Sequence, residues 1–213
     1  SVLAGITTGG NNVAVGSGAG QSATTTSDLV LLGNSAGNLF DGTGPNGSIA
    51  IGKSALAVHT TGARNIAIGW EAMHDTNAGS TAQGSTDNVF LGYQAGGGTW
   101  ADAASNENVA IGNYAMDAAL NGALRNVAIG HEALTGLTSG DYNQAIGYRA
   151  LYAANTGGSN TAIGHEAGIS ITSGAMNVAI GYHAGYNNQT GVYNVHIGMQ
   201  AGYGAASNSA NTN

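Results

Sequence analysis

An aliphatic residue, a glycine, two variable residues and an alanine: this phrase returns eleven times along the chain. Its glycines are Gly16, Gly33, Gly52, Gly69, Gly92, Gly112, Gly130, Gly147, Gly164, Gly181 and Gly198, separated by 17, 19, 17, 23, 20, 18, 17, 17, 17 and 17 residues. Four positions before the glycine, nine of the eleven repeats carry Asn: Asn12, Asn65, Asn88, Asn108, Asn126, Asn143, Asn160, Asn177 and Asn194, with Leu29 and Ser48 the exceptions. A fixed period near 17 marks a solenoid, in which each repeat is one coil stacked on the next. The pattern accounts for nearly the whole chain and leaves little sequence for catalytic machinery.

Within a repeat the phrase reads as a strand. In Asn126-Val127-Ala128-Ile129-Gly130, Val and Ile fall on one face and Asn and Ala on the other, because strand side chains alternate with period two. Gly then turns a corner. A second corner is marked by Thr61-Gly62, Ser139-Gly140, Thr156-Gly157, Ser173-Gly174 and Thr190-Gly191. The reading is all-β: a parallel β-solenoid, or flattened β-roll, of about 11 coils with a base period of 17 residues. Two short strands and two turns are expected per coil, with coils about 4.8 Å apart in a rod roughly 50 Å long. Residues 1–213 read as a single domain, with regular coils over about 11–202 and partial end coils at 1–10 and 203–213. Glycine recurs too often, and no 3.6-residue stripe persists long enough, for helix.

Composition narrows the functional classes. Only 7% of residues are charged, the net charge is -7 and the four cations are scattered, so no nucleic-acid partner is expected. No apolar run approaches the roughly 18 residues of a membrane span, so no membrane insertion is expected. The absence of Cys excludes a disulfide framework.

Stacked Asn amides bond one another from coil to coil, so the Asn column reads as a structural ladder. Charges test the same alignment. Arg149 shares a column with Glu132 and Glu166, Arg64 meets Asp87 one coil on, Arg125 meets Glu107 one coil back, and Lys53 stacks beside Trp70. Two positions before the glycine stands Ala in eight of eleven repeats, with Leu31, Phe90 and His196 as departures. A solvated face would show polar residues there. Small apolar side chains suit close approach of another surface, either the roll's own opposite wall or an identical chain. The second is the working expectation, because so thin a roll has a small core of its own.

The phrase Asn-x-Ala-Ile-Gly-x-x-Ala resembles the head repeats of trimeric autotransporter adhesins. It is similar, more closely in repeat length, to the repeat region of phage tail-fibre-domain proteins. Residues Asn143 to Gly157 carry one complete unit of the latter, and the resemblance spans about residues 11–202. It implies a homotrimer, and an extracellular setting on a virion tail or cell surface. It also implies a role in attachment to a cell-surface glycan or protein.

Chemistry is sparse. No catalytic residue and no cofactor is expected: the Gly-rich stretches lack the Lys and helix of a phosphate loop. Glu132 and Glu166, beside His131 and His165, stand two coils or about 9.6 Å apart. With Arg149 between them holding both ionised, they read as a structural ladder. His196 is a weak metal candidate, since three copies would converge on a threefold axis. The candidate receptor-binding residues are Trp70, Tyr93, Trp100, Tyr148 and Tyr182. Most lie just after the glycine, where flat polar-tipped rings suit sugar stacking or, equally, cross-coil packing. The polar excess at His74–Asp87 lies in the longest coil, on which binding loops are expected. The alternatives are a purely structural shaft or filament without a ligand, and an ice-binding solenoid, which the unphased Thr residues disfavour.

Overall fold

The computed structural model describes residues 8–40, 44–76, 84–101 and 103–204. Residues 1–7 and 205–213 of the expected end coils at 1–10 and 203–213, and residues 77–83 of the longest coil, lie outside the described residues.

Between each ladder Asn and corner Gly, only three residues are extended. They form β1 (Val13–Val15), β2 (Val30–Leu32), β3 (Ile49–Ile51), β4 (Ile66–Ile68), β5 (Val89–Leu91), β6 (Val109–Ile111), β7 (Val127–Ile129), β8 (Gln144–Ile146), β9 (Thr161–Ile163), β10 (Val178–Ile180) and β11 (Val195–Ile197). All eleven make one parallel sheet in chain order. Register is kept coil to coil, as in Ala128 opposite Ala145 and Ala145 opposite Ala162. The chain is a β-solenoid of about ten turns, and the 17-residue period is its coil length.

The glycine ends each strand for two reasons. At Gly147 φ is +133°, which L side chains rarely adopt, and a Cβ there would strike the carbonyl of Gly164 in the next coil. The Asn four residues earlier sits inside the coil. Each Oδ1 from Asn65 to Asn177 accepts the backbone N–H and the Nδ2–H of the Asn one coil on; for Asn126 on Asn108 both distances are 3.0 Å. The second Nδ2–H closes the opposite corner, as in Asn126 to Gly140 O at 2.8 Å. One side chain thus satisfies two otherwise orphaned backbone groups per coil. At the exceptions the ladder changes hands: Asn12 Oδ1 accepts the Leu29 N–H at 3.0 Å, and Ser48 Oγ accepts the Asn65 N–H at 3.2 Å.

Two expectations fail. Among the described residues there is one strand per coil, not two. The far wall contains left-handed residues such as Leu134 (φ 52°) and Leu151 (φ 51°), which no extended strand accommodates. It stacks by backbone bonds between turns, including Leu134 N–H to Ala150 O at 3.1 Å and Leu151 N–H to Ala167 O at 3.0 Å.

The second failure is the Ala column. Ala67, Ala110, Ala128, Ala145, Ala162 and Ala179 are buried within the single chain, packed against its own far wall. They cannot meet an identical chain. The residues flanking them, all β-branched except Gln144, point outward instead. The departures from Ala show why the inner column is small. Where the strand centre is Leu31, Phe90 or His196, the residue four after the glycine is Gly37, Gly96 or Gly202. A Cβ on Gly37 would lie 2.9 Å from Leu31 Cδ2, and one on Gly96 would lie 2.5 Å from Phe90 Cε1. Where the strand centre is Ala50, Ala67, Ala110, Ala128 or Ala145, the facing residue is Leu56, Met73, Met116, Leu134 or Leu151, all buried. Eight of the eleven slices trade volume across the coil in this way; where Ala162 and Ala179 face Gly168 and Gly185, side chains from other positions, Ile171 and Leu151 or His196, fill the space.

Candidate functional site

The residue after each corner glycine leaves the sheet at its edge, and stacking of coils places these residues in file. Rings follow one another along that edge from Trp70 to Tyr182, all but one of them in this file. Trp70 meets Tyr93 edge-on at 5.9 Å between centroids, Tyr93 meets Tyr114 at 5.1 Å, and Tyr114 meets His131 at 5.9 Å. His131 stacks on Tyr148 at 5.7 Å, Tyr148 on His165 at 4.9 Å and His165 on Tyr182 at 5.2 Å. Such contacts contribute about 0.5–1.5 kcal/mol each beyond area burial. The sequence reading missed Tyr114. It stands two after Gly112, where Asn113 occupies the usual ring position, and its ring bridges the gap.

Of the sequence-derived candidates, Trp70 (50% exposed), Tyr148 (37%) and Tyr182 (46%) present ring surface to solvent, while Tyr93 is half-buried between its neighbours. Cations rim them. Lys53 Nζ lies 4.9 Å from the Trp70 ring, and the Arg149 guanidinium lies 5.1 Å from Tyr148 and 5.2 Å from Tyr152.

Trp100 does not belong to this surface. It is 0% exposed, lies edge-on to Phe90 at 5.7 Å and donates its Nε1–H to Gly96 O at 3.0 Å. It stands in a coil three residues longer than the base period. His196 does not face an intermolecular axis either. It points into the solenoid in the last strand, beside Gly202, and burial lowers its pKa.

The aligned charge pairs form, except that expected between Arg149 and Glu166. Arg64 Nε pairs with Asp87 Oδ1 at 2.6 Å, and the hydrogen bond from Arg64 holds that carboxyl below its ordinary range. Arg125 pairs with Glu107 at 2.7 Å and reaches Tyr142 Oη at 2.8 Å. Arg149 pairs with Glu132 but does not serve Glu166, whose Oε2 lies 2.8 Å from His183 Nε2 instead. Gln94 donates to Glu71 at 2.8 Å beside Trp70, which lowers the Glu71 pKa. Two further groups are shifted by burial. His59, enclosed between Thr76 Oγ1 and Gly62 O at 2.9 Å each, falls to about 4. Half-buried Asp117 rises to about 6.

Among the described residues, one group of metal-ligating type arises here. One ligand atom each from His165, Glu166 and His183 lie within 4.8 Å of one another. Among the described residues no helix is long and apolar enough to cross a membrane.

No family model matches the chain, and no curated protein or solved structure does. The class rests on the fold: a parallel β-solenoid repeat protein with an aromatic corner.

Proposed function

We propose that this chain is a non-enzymatic segment of an extracellular trimeric fibre, a phage tail fibre or similar adhesin, that attaches to a cell-surface glycan or protein. The observation that carries the reading is the file of exposed rings, Trp70, Tyr148 and Tyr182, on a rod with cations at its rim. A pyranose stacks its C–H face on such a ring while guanidinium, ammonium and carboxylate groups take its hydroxyls. A rigid scaffold repeats the arrangement along its length, so weak contacts add through multivalency.

The trimer draws support from a different face than the Ala column. Outside the sheet run two columns of mostly Val, Ile and Leu, exposed at Ile129, Ile146, Ile163, Val195 and Ile197. Contiguous apolar surface of this kind marks an interaction face. Three sheets set around one axis would cover it.

The ring-to-ring contacts favour a second reading, a shaft whose aromatic file only stiffens it. Attachment to target cells separates the two. Trp70→Ala and Tyr148→Ala together should weaken attachment at least about tenfold with fold retained. Unchanged attachment would leave the shaft. Wild-type protein should sediment as three chains, and a monomer would end the fibre reading.

A further inference from the structure

We propose that His165, Glu166 and His183 form a binding site for a divalent transition-metal ion of the zinc class. The site does not depend on the receptor reading. His165 and Glu166 are consecutive after Gly164, and His183 holds in the next coil the column position of Glu166. In-register stacking therefore brings all three to one spot, with ligand atoms within 4.8 Å of one another and His183 Nε2 at 2.8 Å from Glu166 Oε2. A tetrahedral ion about 2.0–2.2 Å from each ligand needs them roughly 3.3 Å apart. Small side-chain rotations bridge that difference.

The ligands are held before any ion arrives. Glu166 (φ 53°) and His183 (φ 54°) both sit on left-handed turn residues fixed by the coil. The His183 ring lies against Tyr182 at 3.8 Å, Tyr186 at 4.9 Å and Tyr203 at 5.7 Å between centroids. Its Nδ1 is buried and has no hydrogen-bond partner. The Nε2–H donated to Glu166 sets the tautomer in the free chain, and an ion bound through Nε2 requires that proton to move to Nδ1. Exposed His165 leaves a coordination position to water. Two imidazoles and a carboxylate suit Zn²⁺, Co²⁺, Ni²⁺ or Cu²⁺, and suit Mg²⁺ or Ca²⁺ poorly.

The chain supplies its own control. Gly130-His131-Glu132-Ala133 repeats the phrase Gly164-His165-Glu166-Ala167, but its third position is Arg149, a fixed cation paired with Glu132. The same two ligands without the second imidazole should bind nothing.

Protein stripped with chelator, returned to plain buffer and titrated with ZnCl₂ in a calorimeter should take up one ion per chain at this site. Glu166→Gln, nearly isosteric, and His183→Ala should each weaken binding at least about tenfold, with melts recorded to show that each variant is folded. His131→Ala should bind as wild type. Arg149→His should raise the stoichiometry to two. The site is overturned if wild type shows no saturable binding, if Glu166→Gln and folded His183→Ala bind normally, or if His131→Ala weakens binding as much as they do. A stoichiometry that stays at one in Arg149→His overturns the role given to the third position.

Discussion

Ala145 and Ile146 are adjacent in β8, and both are apolar, yet they live in different solvents. Ala145 is buried against the far wall; Ile146 faces out with its counterparts in every coil. The pair teaches that polarity does not tell the inside of this sheet from the outside. Size does. The interior of one coil is a slice of limited volume, so a large residue on one wall demands a small one on the other, as Phe90 demands Gly96. Outside there is no such limit, and β-branched side chains fill the pleat as propensity favours.

The contrast can be broken at adjacent positions, and here the largest effect is expected. Ala145→Arg buries an unpaired charge in the interior and should cost about 4 kcal/mol or more, unfolding the middle coils. Ile146→Lys should change stability by no more than about 1 kcal/mol, while reducing the sedimentation of any assembly formed through the outer face. If Ala145→Arg melts as wild type, the inward assignment is wrong.

The two tryptophans repeat the comparison with a smaller effect. Trp100→Ala should cost about 3–5 kcal/mol, because it empties a core position and removes the partner of Gly96 O. Trp70→Ala loses an edge contact with Tyr93 and the Lys53 contact, about 1 kcal/mol together. Equal losses in chemical denaturation would erase the distinction between core and corner.

Asp117 lies between the two environments and gives the smallest shift. Burial raises its pKa from 3.8 to about 6 in the folded chain, opposed by the Gly97 backbone hydrogen bond. Between those values the folded state binds more protons than the unfolded one, so this group's contribution is complete below about pH 4 and is lost as pH rises through 6. Asp117→Asn should therefore leave stability at pH 4 unchanged and raise it at pH 7 by about 1 kcal/mol, discounted for screening of a half-exposed group. His59 works in the opposite sense, since burial lowers it from 6.5 to about 4 and the unfolded chain takes up its proton first as pH falls. It cancels in the difference between variant and wild type. A gain at pH 4 equal to that at pH 7 would show that Asp117 acts through packing rather than charge.

Much of this was legible from residue spacing. The glycine column, the Asn column and the charge pairs Arg64–Asp87, Arg125–Glu107 and Arg149–Glu132 each involve only one coil and its neighbour. A nearest-neighbour relation repeated at a fixed period leaves its whole signature in the alignment of repeats. The spacing alone therefore determined a parallel solenoid with this coil length and register. The inward direction of the Ala column also left a trace, the exchange of volume between the strand centre and the residue four after the glycine. Three departures from Ala in eleven repeats carry that trace, and it gains meaning only once the two positions are known to face each other.

Other features had no trace to read. Trp100 stands in a coil with extra residues, where the period is lost, so its direction depends on how that coil folds back over Phe90. The trio His165, Glu166 and His183 has no metal-binding spacing along the chain; stacking at one particular register brings the third ligand to the other two. Sequence determined the coil, because every repeat makes the same left-handed turns and the same backbone bonds to the next coil. Only the tertiary structure decided what the coil encloses, because the volume of its interior is a property of both walls together.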